Sequence, residues 1–211
     1  MDELIDEELI DEVFITGEEE IIGEGENAKK QICFKGIFSE ADSLNGNKRI
    51  YPKKVLREVY EEAIARTKAT GKPIYGEWEH AKNAKMNLDN LAVTFPELTW
   101  NEEKGTIEGK AVPTLMECGE KVIKLAKSGF PVCFSTRMAG KVKPLSEERK
   151  RELGLPLTED CVEVMPGAKL ISIDVVGDPS CQKAVSETVY EEKEENINHN
   201  PTFKQIFDNC L

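Results

Sequence analysis

Histidine is scarce in this chain. Its 211 residues hold two, His80 and His199, so any chemistry that needs an imidazole must draw on one of them. Cysteine occurs six times, at Cys33, Cys118, Cys133, Cys161, Cys181 and Cys210, yet no two form a CxxC pair and no histidine stands at zinc spacing. Neither a redox motif nor a zinc site is indicated, and free buried thiols in a reducing compartment are expected. No apolar run approaches the length of a membrane span, and residues 1–26 contain no lysine or arginine. Both facts argue against a transmembrane helix and a signal peptide and for a soluble, cytosolic protein. Nothing in the sequence indicates a metal, nucleotide or other cofactor.

The net charge of −12 is concentrated at one end. Residues 1–26 hold twelve acidic side chains, whereas the rest of the chain is balanced, with 28 basic and 28 acidic residues. A basic face for nucleic acid is therefore not expected. Like-charge density in the leader disfavours compact folding, so residues 1–28 are expected to be disordered, either a solubilising tail or a removable propeptide. A hydrophobic content of 39% suits one domain with a real core, placed at residues 29–185. Residues 186–211 read as an acidic linker followed by a short amphipathic helix, with Phe203, Ile206, Phe207 and Leu211 at helical spacing.

Within the domain, residues 31–38 read as a strand and Asn45-Gly46-Asn47 as a turn. Pro52 opens a helix whose stripe is Val55, Leu56, Val59, Tyr60, Ala63 and Ile64, ending near Gly71. Residues 74–78 are strand-like and lead to His80, followed by a polar loop over residues 82–90. Residues 91–100 and 106–112 flank a glycine-containing turn that suits a hairpin, with Pro96 at a bend. Thr114 and Glu117 have capping-box spacing before a helix that stops at Gly129. Ser146 suits the cap of a short charged helix, and residues 161–164 and 169–176 read as further strands. The expected class is α+β: a mostly antiparallel β-barrel or sheet flanked by helices.

The apolar run Phe130 to Phe134 ends in Ser135, Thr136 and Arg137 and then a small-residue turn at Gly140. It reads as a buried strand delivering polar groups to a rim, with Cys133, Ser135 and Arg137 on one face. Ser135 is a candidate nucleophile, or simply the start of a turn. His80, flanked by Glu79 and close to Trp78 at a strand end, is the better placed histidine for a general base. Asp174 is the candidate to orient it, because a carboxylate among Ile173, Val175 and Val176 needs a partner; Glu77, Glu79 and Glu163 are rivals. Arg137 and the amides leading to Gly140 are candidates for stabilising an oxyanion, although Arg137 is equally suited to a structural ion pair. Cys133 with His80 is the alternative nucleophile pair.

Four blocks, in order, resemble the prohead maturation proteases of tailed bacteriophages, a family related in fold to the herpesvirus capsid protease assemblin. They are Asn45 to Pro52 (NGNKRIYP), Gly76 to His80 (GEWEH), Phe134 to Gly140 (FSTRMAG) and Leu170 to Ser180 (LISIDVVGDPS). Ala81 stands where the family often has proline, and Phe95 where a second histidine is common. The resemblance implies an assemblin-like fold and a serine endopeptidase with Ser135 as nucleophile and His80 as base. It further implies a homo-oligomer working in the host cytoplasm inside the immature capsid, on capsid and scaffold proteins, without membrane or nucleic acid. Such proteases are associated with cleavage after Leu or Ile, any residue, then Glu, which makes Glu7, Glu12 and Glu24 candidate self-cleavage positions. A non-enzymatic core or scaffold protein that keeps the fold is the remaining alternative.

Overall fold

The computed structural model describes residues 15–22, 29–81, 85–181 and 183–187. Glu7, Glu12, Glu24, His199, Cys210 and the C-terminal helix expected after Pro201 lie outside the described residues. The order of elements is β1 (Ile15–Ile22), β2 (Lys29–Glu40), β3 (Arg49–Ile50), α1 (Lys53–Thr70), β4 (Ile74–Glu77), β5 (Leu91–Asn101), β6 (Thr106–Pro113), α2 (Glu117–Lys127), β7 (Cys133–Ala139), β8 (Val142–Pro144), α3 (Glu147–Glu152), β9 (Val162–Val164), β10 (Lys169–Val176) and β11 (Ser186–Glu187).

The fold is mixed, mostly sheet with a few helices. Its largest sheet runs β11-β1-β2-β6-β5-β4, antiparallel except for β1 with β11; β10 pairs antiparallel with β7, and β3, β9 and β8 form a third sheet. Among the described residues the strands do not close into a barrel. The β7–β10 ladder instead meets the large sheet through two isolated bridges, Trp78 with Val175 and Cys133 with Val185.

The sheet begins earlier than the charge of the leader suggested. Ile15–Ile22 pairs in register with residues 29–36 of β2. The sequence of this strand includes Glu18, Glu19 and Glu20, and its backbone is paired with β2 nonetheless.

Helix α1 follows from its stripe: Val55, Leu56, Val59 and Ala63 are buried, and Gly71 takes the left-handed cap at φ 67°. Arg66 ties it to β10 by donating from Nη2 to the Leu170 carbonyl at 2.7 Å. Helix α2 starts without the expected capping box. Thr114 Oγ1 donates to the Leu91 carbonyl at 2.9 Å, leaving Met116 at the cap with no side-chain bond. Ser146 does cap α3, accepting from the Arg149 amide. Beneath β7, Phe134 packs edge-on to Phe38 and tilted against Phe34, with ring centroids 5.2 and 5.6 Å apart. Because Phe134 is turned into this core, its neighbours Cys133 and Ser135 face the other side of the strand.

Candidate active site

The site is assembled on β7, β10 and the end of β4. The β7–β10 register sets Ser135 opposite Asp174, with Arg137 opposite Ser172 and Cys133 opposite Val176. Directly opposed residues of an antiparallel pair project from the same face, so Ser135, Arg137, Ser172 and Asp174 share one polar face, as the alternation of residues 133–137 predicts.

Strand β4 approaches β10 closely because Gly76 has no side chain: a β-carbon there would stand 1.9 Å from the Ile173 carbonyl oxygen. Beyond Gly76, the Glu77 amide donates to Asp174 Oδ1 at 2.8 Å and the Glu79 amide to the Val175 carbonyl at 2.8 Å. Glu79 itself adopts a left-handed backbone at φ 67°, which turns the chain so that His80 returns over β10.

His80 Nδ1 then lies 2.7 Å from Asp174 Oδ2. Asp174 is fully buried, whereas the His80 side chain is 38% exposed, so the pair spans the boundary between core and solvent. With Nδ1 protonated toward the carboxylate, Nε2 is the acceptor left for a proton.

Arg137 takes up the remaining capacity of this cluster. Its Nε donates to Ser172 Oγ at 2.9 Å and lies 3.2 Å from Asp174 Oδ2, while Nη2 is paired with the buried carboxylate of Glu77. The Asn87 amide caps the other Glu77 oxygen, and Met86 sulfur meets Arg137 Nη2 at 3.3 Å. Met86 and Asn87 therefore close over the buried ion pair. Asp174 is the carboxylate that bonds His80; of its rivals, Glu77 pairs with Arg137, Glu163 pairs with Lys143, and Glu79 is exposed.

Two expected oxyanion groups are displaced. Gly140, just past the end of β7, is five residues from Ser135, about 16 Å at an extended rise of ~3.3 Å per residue. It packs against Ala168, whose β-carbon a side chain at Gly140 would meet at 2.7 Å. The Arg137 guanidinium is committed to Glu77, Ser172 and Asp174. Ser135 is 2% exposed, and its Oγ is hydrogen-bonded to Ser180 Oγ at 3.1 Å rather than to His80. Ser180 closes the fourth sequence block, but its side-chain role had no sequence signal: it lies in a loop, without periodicity. Beside Ser180 is a cavity of about 110 Å³ lined by Thr136, Ser180, Asn45, Tyr51, Glu40 and Lys183 among others, with Lys183 Nζ 2.6 Å from Glu40 Oε1.

A sequence model of the family described as prohead core protein serine protease matches residues 3–194. The chain belongs to that family. Over 124 residues it is 28% identical to the prohead core protein protease of Enterobacteria phage T4, an alignment that spans 56% of each protein. The alignment thus covers little more than half the length of that relative. The structure of the bacteriophage T4 capsid assembly protease superposes with a TM-score of 0.60 at 23% identity, covering 78% of this chain and 96% of the other. This prohead protease family member therefore shares the fold of the T4 enzyme. No helix among its described residues is long and apolar enough to cross a membrane.

Proposed function

We propose that this chain is a serine endopeptidase of prohead maturation on an assemblin-like scaffold, with Ser135 as nucleophile, His80 as general base and Asp174 as the residue that orients His80. The supporting observation is the 2.7 Å His80–Asp174 hydrogen bond beside a serine set opposite Asp174 on the same face. His80 Nε2 takes the Ser135 proton as Oγ attacks the scissile carbonyl, then returns it to the leaving amine; water hydrolyses the acyl-enzyme by the same steps. Arg137 is a positioning residue that holds Asp174 in place against Glu77.

Its substrates are capsid and scaffold proteins cleaved after Leu or Ile, any residue, then Glu, inside the immature capsid in the host cell, and the working form is a homo-oligomer. The cavity next to Ser180 supports an acidic specificity, since Lys183 offers a cation that now holds Glu40 and can exchange it for a substrate carboxylate. The leader within residues 1–28 is processed at Glu7, Glu12 or Glu24. Cys133 is a poor rival nucleophile: burial first, then Asp178, pushes its thiol pKa up, away from thiolate chemistry.

The test is the denatured mass of the purified chain over time, with a scaffold-derived peptide as second substrate. Wild type should lose mass after those glutamates and cut the peptide; Ser135→Ala and His80→Ala should do neither, and Asp174→Asn should slow both by about 10⁴-fold. Cleavage that survives Ser135→Ala removes the serine mechanism. A wild type inert toward both substrates under assembly conditions would favour the non-enzymatic core protein.

A further inference from the structure

With Gly140 and Arg137 placed elsewhere, the reaction still needs a donor at the oxygen that becomes negative. Strand β7 has two flanks. One is paired with β10, which carries Asp174 and through it His80. Along the other runs the segment after β10: Val185 bridges Cys133, and the Phe134 amide donates to the Ala184 carbonyl at 2.7 Å. Ser180 belongs to this second segment. Its hydroxyl lies 3.1 Å from Ser135 Oγ, so the candidate nucleophile stands between the base on one flank and a second hydroxyl on the other.

Ser180 is fixed from behind. The Gly46 amide donates to its carbonyl at 2.7 Å, and the turn bearing Gly46 is pinned by Asn45 Oδ1, which accepts from the amides of Asn47 and Arg49, each at 3.0 Å. Ser180 also lines the cavity of about 110 Å³, on whose wall β7 contributes Thr136.

We infer that Ser180 is a catalytic residue whose hydroxyl donates a hydrogen bond to the oxyanion formed when Ser135 attacks, on the flank opposite His80. The inference rests on the assignment of Ser135 and His80 above. In the resting enzyme the two serine hydroxyls bond to each other. On attack, the Ser135 Oγ–carbon bond forms, its proton passes to His80 Nε2, and the carbonyl π pair moves onto oxygen. Ser180, released from Ser135, then donates to that oxygen and keeps its own proton throughout. When the oxyanion collapses, the carbon–nitrogen bond breaks and the amine leaves with the proton from His80. A preorganised donor of this kind is worth about 10²- to 10³-fold in kcat when removed.

The experiment compares full-length wild type, Ser180→Ala, Ser180→Thr and Ser135→Ala, all on a peptide containing Ile-Asp-Glu. A peptide boronic acid ending in Glu, which forms a tetrahedral adduct with a serine nucleophile, is titrated in parallel. Ser180→Ala should lower kcat by about 10²- to 10³-fold with KM nearly unchanged and weaken boronate binding by a similar factor, and Ser180→Thr should restore most of both. Boronate affinity is read without turnover, so a requirement for assembly does not shield the inference. It is overturned if Ser180→Ala binds the boronate and turns over within about three-fold of wild type. It is equally overturned if the loss tracks a lower melting temperature and threonine restores neither. Full activity or boronate binding in Ser135→Ala would instead remove the nucleophile assignment, and the role of Ser180 with it.

Discussion

Replacing Gly76 by alanine should cripple the proposed cleavage while leaving the chain folded. The new β-carbon would sit 1.9 Å from the Ile173 carbonyl oxygen and 2.6 Å from Val93 Cγ2. Ordinary contact begins near 3.4 Å, so β4 must retreat from β10 by about 1.5 Å. Carried along, His80 would move from 2.7 Å to beyond hydrogen-bond range of Asp174, and the Glu77 and Glu79 amides would lose their acceptors on β10. Misplacement by about 1 Å costs ~10²-fold in rate, and loss of the orienting carboxylate ~10⁴-fold, so kcat should fall between these limits. Overpacking costs about 1–3 kcal/mol, or roughly 2–12 °C in melting temperature for a domain of this size. Gly109→Ala is the control: its β-carbon would meet the Glu97 carbonyl oxygen at 2.3 Å, but in the β5–β6 ladder. Peptide cleavage and thermal melts on both variants decide the matter. If Gly109→Ala melts early but cleaves normally while Gly76→Ala is slow, the β4–β10 contact sets the catalytic geometry. A Gly76→Ala enzyme within about three-fold of wild type would refute that reasoning.

Arg137→Met strands two buried carboxylates and should cost about 3–5 kcal/mol in urea unfolding; adding Glu77→Gln should recover about 0.5–3 kcal/mol of coupling. Strict additivity of the two changes would mean that the pair is not coupled. Burial, with Asp178 as the second cause, raises the Cys133 thiol pKa, so the folded protein keeps a proton that the unfolded chain releases. That stability is fully present below the ordinary thiol pKa near 9.0 and is lost as pH rises through the folded value. Urea melts from pH 8 upward should therefore show a shallower alkaline decline in Cys133→Ser than in wild type, with peptide cleavage retained; parallel declines would contradict it.

Much of this arrangement was legible because it is local. The stripe from Val55 to Ile64 defines α1, the turn around Gly105 defines the β5–β6 hairpin, and the apolar run before Ser135 defines β7. Asp174 could be read from its neighbours, since a carboxylate in such a strand needs a partner. What escaped is non-local. Glu77 and Arg137 are 60 residues apart, and no periodicity links them. Ser180 acts through a loop positioned by Gly46 on a distant turn. The pairing of β1 with β2 runs against the local charge, and Thr114 turned its hydroxyl toward Leu91 although its spacing to Glu117 suited a cap.

The early start of the sheet changes what processing would produce. Glu24 lies between the last residue of β1, Ile22, and the first of β2, Lys29, while β1 is paired along eight residues with β2 and at its start with β11. A cut there severs the covalent link without removing the strand from its ladder. The matured enzyme would then be a nicked complex of two polypeptides, complemented in the manner of a split protein. Apart from any residues lost ahead of β1, its mass under native conditions would rise only by the water taken up in hydrolysis, and the two pieces would separate only on denaturation.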